Sequence, residues 1–296
     1  MKILVTGSSG LVGSALSPVL VEKGHAVSRL GRSASQTDFS WDPEQGVLDE
    51  AALEGVEAVV HLAGENIAEG RWTAQKKQRI RDSRVKSTQL LSEKLAGLEQ
   101  PPSVLLCASA IGFYGDRGDE FLREDSEPGS GFLPDVCQEW EGATQPAREK
   151  GIRVVNLRIG IVLSLAGGAL AKMLFPFKMG VGGKIGSGNQ YMSWITLDDL
   201  VGVMGHALST EDLTGPVNAV SPGAVTNLEF TKTLGRVLKR PTLFPMPGFA
   251  ARMAFGEMAD ALLLSSARVE PHVLRGSDYT FQNPDLEGAF RHLLGK

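Results

Sequence analysis

Cysteine is scarce, with two residues in 296, Cys107 and Cys137. Their spacing forms no Cys-x-x-Cys or His/Cys ligand pattern, so neither a disulfide framework nor a metal centre is implied and a reducing compartment is expected. Positive charge is not in excess: 30 Lys and Arg stand against 34 Asp and Glu, for a net charge of -4 and a pI near 5.8. That balance removes the general electrostatic reason for a nucleic acid or an anionic membrane as partner. No apolar run reaches the ~18 residues of a membrane span, and Met1-Lys2 leads straight into a strand pattern without a charged leader and apolar core. A cytoplasmic location is therefore expected. Internal repeats and low-complexity segments are also missing. With 42% hydrophobic residues, the chain has the material for one large domain, or one domain with an appendage.

Short apolar runs at 3–6, 26–30, 58–62, 104–107 and 154–157 alternate with longer helical patterns. Near-continuous apolar strands in such alternation predict an α/β doubly wound parallel sheet covered by helices on both faces. Helices are expected at 11–24, 73–98, 132–150, 197–208 and 227–239. After Arg158 the texture changes to glycine-rich loops, around Gly167-Gly168 and through 180–190. Pro241, Pro245 and Pro247 then interrupt the chain before a last helical region at 249–267. The expected division is a domain at 1–240 and a small, mainly helical C-terminal cap at 241–296.

The most informative stretch is Gly7-Ser8-Ser9-Gly10-Leu11-Val12-Gly13, between the first strand and the first helix. Gly7 permits a tight turn, Gly10 lets the backbone approach a pyrophosphate, and Gly13 lets the helix pack closely on the strand, so that free helix amides face an anion. Strand-to-helix context makes this glycine spacing a dinucleotide site. At the end of the second strand, where an NAD site commonly carries Asp or Glu for the ribose hydroxyls, stand Arg32 and Ser33. A guanidinium fork and a hydroxyl there suit a 2′-phosphate, so NADP(H) is favoured over NAD(H).

His61-Leu62-Ala63-Gly64 ends another parallel strand at the carboxyl edge, where ligands of open α/β sheets bind. Small residues there admit the cofactor, and His61 is expected to pack or hydrogen-bond rather than act as a base. Asp198-Asp199 reads as the first turn of a helix capped by Thr196, not as a metal pair. The basic run at 76–86 reads as a solvated helix face, with a sharper alternative in which Arg81 or Arg84 meets an anionic substrate group. The loop at 180–190, with Lys184, Asn189 and Gln190, either closes over an anionic ligand or crosses without contact. Trp72, Tyr191 and Trp194 are pocket-lining or buried aromatics.

These features resemble the extended short-chain dehydrogenase/reductase superfamily, the nucleotide-sugar epimerases and dehydratases. The resemblance rests on the glycine turn, His61-Leu62-Ala63-Gly64, the stretch from Ala108 to Gly115, and Leu157 to Leu163. More closely, the chain is similar to an epimerase-like subfamily of unassigned reaction with a short conserved C-terminal domain. Glu65-Asn66 with Arg71-Trp72, Gly186 to Ile195 with Asp198-Asp199, and Gly256 to Ala259 with Arg268 carry that closer likeness. It implies that Leu62, Ala63, Gly64, Arg158 and Ile159 join the cofactor site, and that Ser109 orients a substrate oxygen. It also implies a homodimer through helices 73–98 and 132–150, with the C-terminal cap as the feature that would alter it.

One departure stands out. The superfamily's tyrosine and lysine pair, in which the lysine lowers the phenol pKa for proton exchange, is absent. Aligning Glu141 with the acidic residue that follows the pair places Leu133 at the tyrosine and Cys137 at the lysine. Cys137 behaves as a small hydrophobe unless a cation lies close, which leaves Tyr114 or a water as the candidate acid. Two readings follow. One is an NADP(H)-binding oxidoreductase acting on a small carbonyl, alcohol or nucleotide-sugar-like substrate; the other is a catalytically impaired NADP(H)-binding sensor or scaffold.

Overall fold

The computed structural model describes residues 1–33 and 37–296. Its strands are β1 (Lys2–Thr6), β2 (Ala26–Gly31), β3 (Phe39–Asp42), β4 (Val47–Leu48), β5 (Ala58–His61), β6 (Val104–Ala110), β7 (Phe121–Leu122), β8 (Arg153–Ile159), β9 (Ile161–Leu163), β10 (Tyr191–Met192), β11 (Trp194–Thr196), β12 (Gly215–Ala219), β13 (Val225–Thr226) and β14 (Arg268–Val269). Eight of them form one sheet in the order β12-β8-β6-β5-β1-β2-β3-β4, parallel except for the terminal β3/β4 pair. The doubly wound parallel sheet is thus present. The chain leaves β1 in one direction and returns to the other side of it as β5, so the switch point lies between these two strands.

Helices α1 (Leu11–Glu22) and α2 (Ala74–Ala96) cover opposite faces, which follows from the alternation along β1. Ile3 and Val5 pack with Leu16 and Leu20 of α1 and with Leu200, Val203 and Met204, whereas Leu4 packs with Leu91 and Leu95 of α2. The next helices are α3 (Phe132–Gly142), α4 (Gln145–Glu149), α5 (Gly168–Lys178), α6 (Leu197–Ser209), α7 (Asn227–Leu238), α8 (Gly248–Phe255), α9 (His272–Gly276) and α10 (Leu286–Leu294).

Three expectations are corrected. The helix expected at 132–150 is two helices, α3 and α4, because Pro146 lies in the first turn of a new helix and lacks the N–H that a continuous one requires. The region at 249–267 breaks at Gly256, whose φ of 63° is incompatible with α-helix, and continues as a π-helical turn at Ala259–Leu264 before extended chain. The glycine-rich stretch after Arg158 contains a full helix, α5, started by the Gly167-Gly168 pair rather than disrupted by it.

The segment 241–296 packs against the rest at several places. β14 pairs in parallel with β7, Phe290 of α10 meets Phe230 of α7 edge-on at 5.1 Å, and the chain after α9 wraps the start of α6. There Thr196 caps the helix by accepting from Asp199 N at 3.1 Å, as expected. The buried Asp199 carboxylate also accepts from Gln282 N at 2.7 Å and Asn283 N at 3.0 Å, tying down the tail. No helix among the described residues is long and apolar enough to cross a membrane.

Candidate active site

The glycine turn lies at the carboxyl end of β1, beside the switch point. Gly7 adopts φ 67°, and a Cβ on it would stand 2.6 Å from Leu62 C, so the turn lies directly against the chain leaving β5. A Cβ on Gly13 would lie 2.4 Å from Gly7 O and 2.7 Å from Ser8 Cα. Gly10 N donates to Gly7 O at 3.0 Å, and the residue opens α1 without a side-chain cap or an acidic residue in the first turn. A helix start with unpaired amides and no competing carboxylate fits a pyrophosphate. Ser9 and Gly10 are exposed there, Leu11 and Val12 are half-buried and Ser8 is buried.

Beneath the turn lies a buried polar chain. Thr6 Oγ1 accepts from Leu62 N at 3.2 Å and Ala63 N at 3.3 Å, so its own proton goes to His61 Nδ1, 2.7 Å away. His61 Nε2 therefore carries the ring proton and donates to Thr88 Oγ1 at 2.9 Å. Burial pushes the His61 pKa down to about 4, and the imidazole is neutral at pH 7. Between pH 6.5 and about 4 the unfolded chain takes up a proton that the folded one refuses, so stability falls with falling pH through that window. The contribution reaches about 3 kcal/mol at full protonation. Urea melts of His61→Gln should lose this part of the acid dependence; an unchanged slope between pH 6.5 and 4.5 would contradict the assignment.

Arg32 and Ser33 are exposed at the end of β2. The Arg32 charge helps hold the Glu65 carboxyl below its ordinary range, behind the larger effect of the Lys76 ion pair at 2.6 Å. The basic face is also largely paired: Arg81 bonds Glu139, Lys77 bonds Glu257 at 2.9 Å and Lys86 bonds Asp82 at 3.0 Å.

Beyond β5 in the sheet, β6 and β8 place Ser109 opposite Arg158. Ser109 Oγ donates to Glu141 Oε1 at 2.7 Å, while Arg158 grips both Glu141 oxygens, Nε to Oε1 at 2.8 Å and Nη2 to Oε2 at 2.9 Å. Arg158 Nη1 also donates to the Tyr114 hydroxyl at 3.0 Å and to Glu124 O at 3.1 Å. The Tyr114 hydroxyl lies 2.6 Å from Asn218 Oδ1 and 2.9 Å from Arg123 O. It is wholly buried, and that burial raises its pKa to about 12. Its phenol belongs to a closed network, and the Arg158 side chain is bound within the same network. Ile159 is half-buried at the carboxyl end of β8.

Leu133, Cys137 and Glu141 recur at i, i+4 and i+8 along α3. Leu133 Cβ and Cys137 Sγ lie 3.4 and 3.7 Å from where a Gly112 Cβ would stand. Burial raises the Cys137 pKa to about 12, so this position holds a neutral thiol. The Ser109–Glu141–Arg158 arrangement was missed by sequence reasoning, although Glu141 and Ser109 were each in view. The register of β6 on β8 brings Ser109 beside Arg158, and α3 brings Glu141 to both.

Of the three donor side chains in the 180–190 loop, Lys184 and Gln190 are engaged by the protein and Asn189 is exposed. Lys184 Nζ donates to Ser187 O at 2.9 Å, and Gln190 Nε2 donates to Ile185 O at 3.0 Å and Leu263 O at 2.9 Å. Trp194 is fully buried and Trp72 nearly so, whereas Tyr191 is half-buried beneath the Arg268 guanidinium at 4.6 Å. Among the described residues, no group of three or more His, Cys, Asp or Glu is placed to hold a metal ion.

Switch-point crevice, glycine turn and uncapped helix together define a dinucleotide-binding α/β protein. The chain belongs to the NAD dependent epimerase/dehydratase family, whose model matches residues 3–220; a second model, a domain of unknown function named DUF1731, matches residues 246–293. It is 44% identical over 283 residues to an epimerase family protein of Mycobacterium bovis, covering 95% of this chain and 93% of that protein. It is 33% identical to the Homo sapiens epimerase family protein SDR39U1, covering 99% of this chain and 100% of that one. The crystal structure of human SDR39U1 (isoform 2) with NADPH superposes with a TM-score of 0.91 at 32% identity, over all of both chains. A nucleoside-diphosphate sugar epimerase of Corynebacterium glutamicum, 38% identical, gives 0.82 over all of this chain and 58% of its own.

Proposed function

We propose that this NAD(P)-dependent epimerase-family protein is an oxidoreductase using NADP(H), which passes hydride between the nicotinamide and a small carbonyl, alcohol or nucleotide-sugar-like substrate. The observation that carries the reading is the glycine turn, sealed by Gly7 and Gly13 and opening onto the uncapped start of α1. The NADPH bound by human SDR39U1 supports the choice of cofactor. Residues 7–13 would hold the pyrophosphate, Arg32 and Ser33 the 2′-phosphate, and Leu62, Ala63 and Gly64 the approach to the nicotinamide. Ile159 and the backbone of Arg158 would close the far side. The cofactor supplies the redox chemistry.

Ser109 orients the substrate oxygen. Because its own proton is directed at Glu141, its lone pairs are available to accept from a substrate hydroxyl. The Glu141 carboxylate, paired with Arg158, holds the serine proton in this direction and so fixes Ser109 as an acceptor. Tyr114 then holds Arg158 in place instead of acting as the acid. Arg32→Ala should lower NADPH affinity at least about tenfold while changing NADH affinity by less than about twofold. Equal losses for the two cofactors, measured by fluorescence titration, would overturn the Arg32 assignment.

A further inference from the structure

We propose that the face built by the C-terminal end of α5, the 180–186 loop and the chain from Pro241 through α8 docks the protein on an anionic lipid surface. The six most exposed large apolar side chains among the described residues are Phe175, Met179, Leu243, Phe244, Phe249 and Met253, each 60–73% exposed, and all six fall in this one region. Phe175 and Met179 are one turn apart on α5, away from Leu170, Leu174 and Phe177, which are buried with Phe230 and Leu234 of α7. Phe249 and Met253 repeat that spacing on α8, where Ala251 is the buried residue. Between the helices, Pro241, Pro245 and Pro247 stiffen the backbone that presents Leu243 and Phe244. The stretches are joined: Arg240 Nε donates to Lys178 O at 3.0 Å, Met246 N to Lys184 O at 2.8 Å and Gly186 N to Met246 O at 2.9 Å. Apolar groups concentrated in one exposed place mark an interaction surface.

Charge decides what covers it. The whole chain carries -4, yet residues 168–190 and 230–256, which supply this face and the helix behind it, hold eight Lys and Arg and no Asp or Glu. Among the described residues only Arg236 and Arg252 of these eight pair with a carboxylate, from Glu287 and Asp260. Lys178 and Lys239 are exposed without an ion-pair partner, and Lys172 and Lys184 bond only backbone oxygens, Ala68 O and Ser187 O. A second copy related by a two-fold axis through this face would set these cations against each other. The apolar side chains also stand out from the surface instead of lining a groove for a partner's helix. Phe, Leu and Met interspersed with Lys and Arg match the boundary between lipid headgroups and acyl chains: the apolar groups enter the acyl region while the ammonium and guanidinium groups stay with the phosphates. The overall charge gives no sign of this, because averaging over the chain cancels a local excess.

The test is flotation of the full chain with vesicles. Equal parts of phosphatidylcholine and phosphatidylglycerol should bind the protein at least about tenfold more tightly than phosphatidylcholine alone, and added salt should release it. Phe175→Ser/Phe249→Ser and Lys178→Glu/Lys239→Glu should each lower binding to the mixed vesicles at least about tenfold, with thermal melts like the parent's. Equal binding to both kinds of vesicle, or binding to neither, would overturn the proposal, as would undiminished binding by either variant. A dimer in sedimentation that Phe175→Ser/Phe249→Ser breaks would assign the face to a second copy instead. All four positions are exposed, so neither variant should unfold; if the serine variant does, Lys178→Glu/Lys239→Glu decides.

Discussion

Arg158→Met should destabilise the protein by about 3–5 kcal/mol, the cost of leaving a carboxylate behind in the interior without its partner. Arg158 and Glu141 side chains are 5% and 13% exposed, and their pairing is bidentate. The guanidinium also lies 3.5 Å above the Phe113 ring centroid and donates to Tyr114 and Glu124 O, so its removal takes away packing as well as charge. The partner change separates these terms. In Arg158→Met/Glu141→Leu no buried charge is left over, and much of the lost stability should return. Urea unfolding of the two variants checks this. A loss below about 1 kcal/mol in Arg158→Met would mean that Glu141 finds water or another donor, and that Ser109 is not held by a charged acceptor.

Gly13→Ala has the second large expected effect. The new Cβ would meet the Gly7 carbonyl oxygen at 2.4 Å and Ser8 Cα at 2.7 Å; these are backbone atoms of the turn itself, with no flexible side chain to give way. Either α1 or the turn must shift, and the amides proposed to face the pyrophosphate shift with it. NADPH affinity should fall by about a hundredfold or more, near 3 kcal/mol. Gly276→Ala is the control, since its Cβ meets nothing within 4 Å and the backbone there is not left-handed. It should bind NADPH like the parent. Parent-like binding by Gly13→Ala would show that the turn does not cradle the ligand.

The parallel sheet was legible because β1, β5, β6 and β8 are buried on both faces and read as near-continuous apolar runs. β12 was not: Gly215-Pro216 opens it, and a proline near a strand start looks like a loop until β8 is seen to pair with it. α5 was hidden for a similar reason, with glycines before it and Pro176 inside it. The capped start of α6 was local and therefore readable from Thr196 and the two aspartates. The partners of Asp199 at Gln282 and Asn283 were not readable, since they come from more than 80 residues away.

The glycine turn is one contiguous stretch, so it could be named from the sequence alone. The proposed substrate half draws on β6, α3 and β8, and its meaning depends on which side chains meet. Ser109 could be named from its strand. Glu141 appeared only as an alignment marker for the missing pair, and Tyr114 stayed open as a candidate acid because nothing in Ala110 to Gly115 shows that Asn218 and Arg123 enclose it. Arg81 and Arg84 were equivalent on a helical face until Glu139 engaged one of them and Gly64 made room for the other.

The most direct test of the account is a fluorescence titration of the purified parent chain with NADPH and with NADH, before any substrate is sought. It predicts saturable NADPH binding at least about tenfold tighter than NADH binding. Binding of neither cofactor would contradict the central claim, leaving the glycine turn as a packing feature and Arg32 as a surface charge.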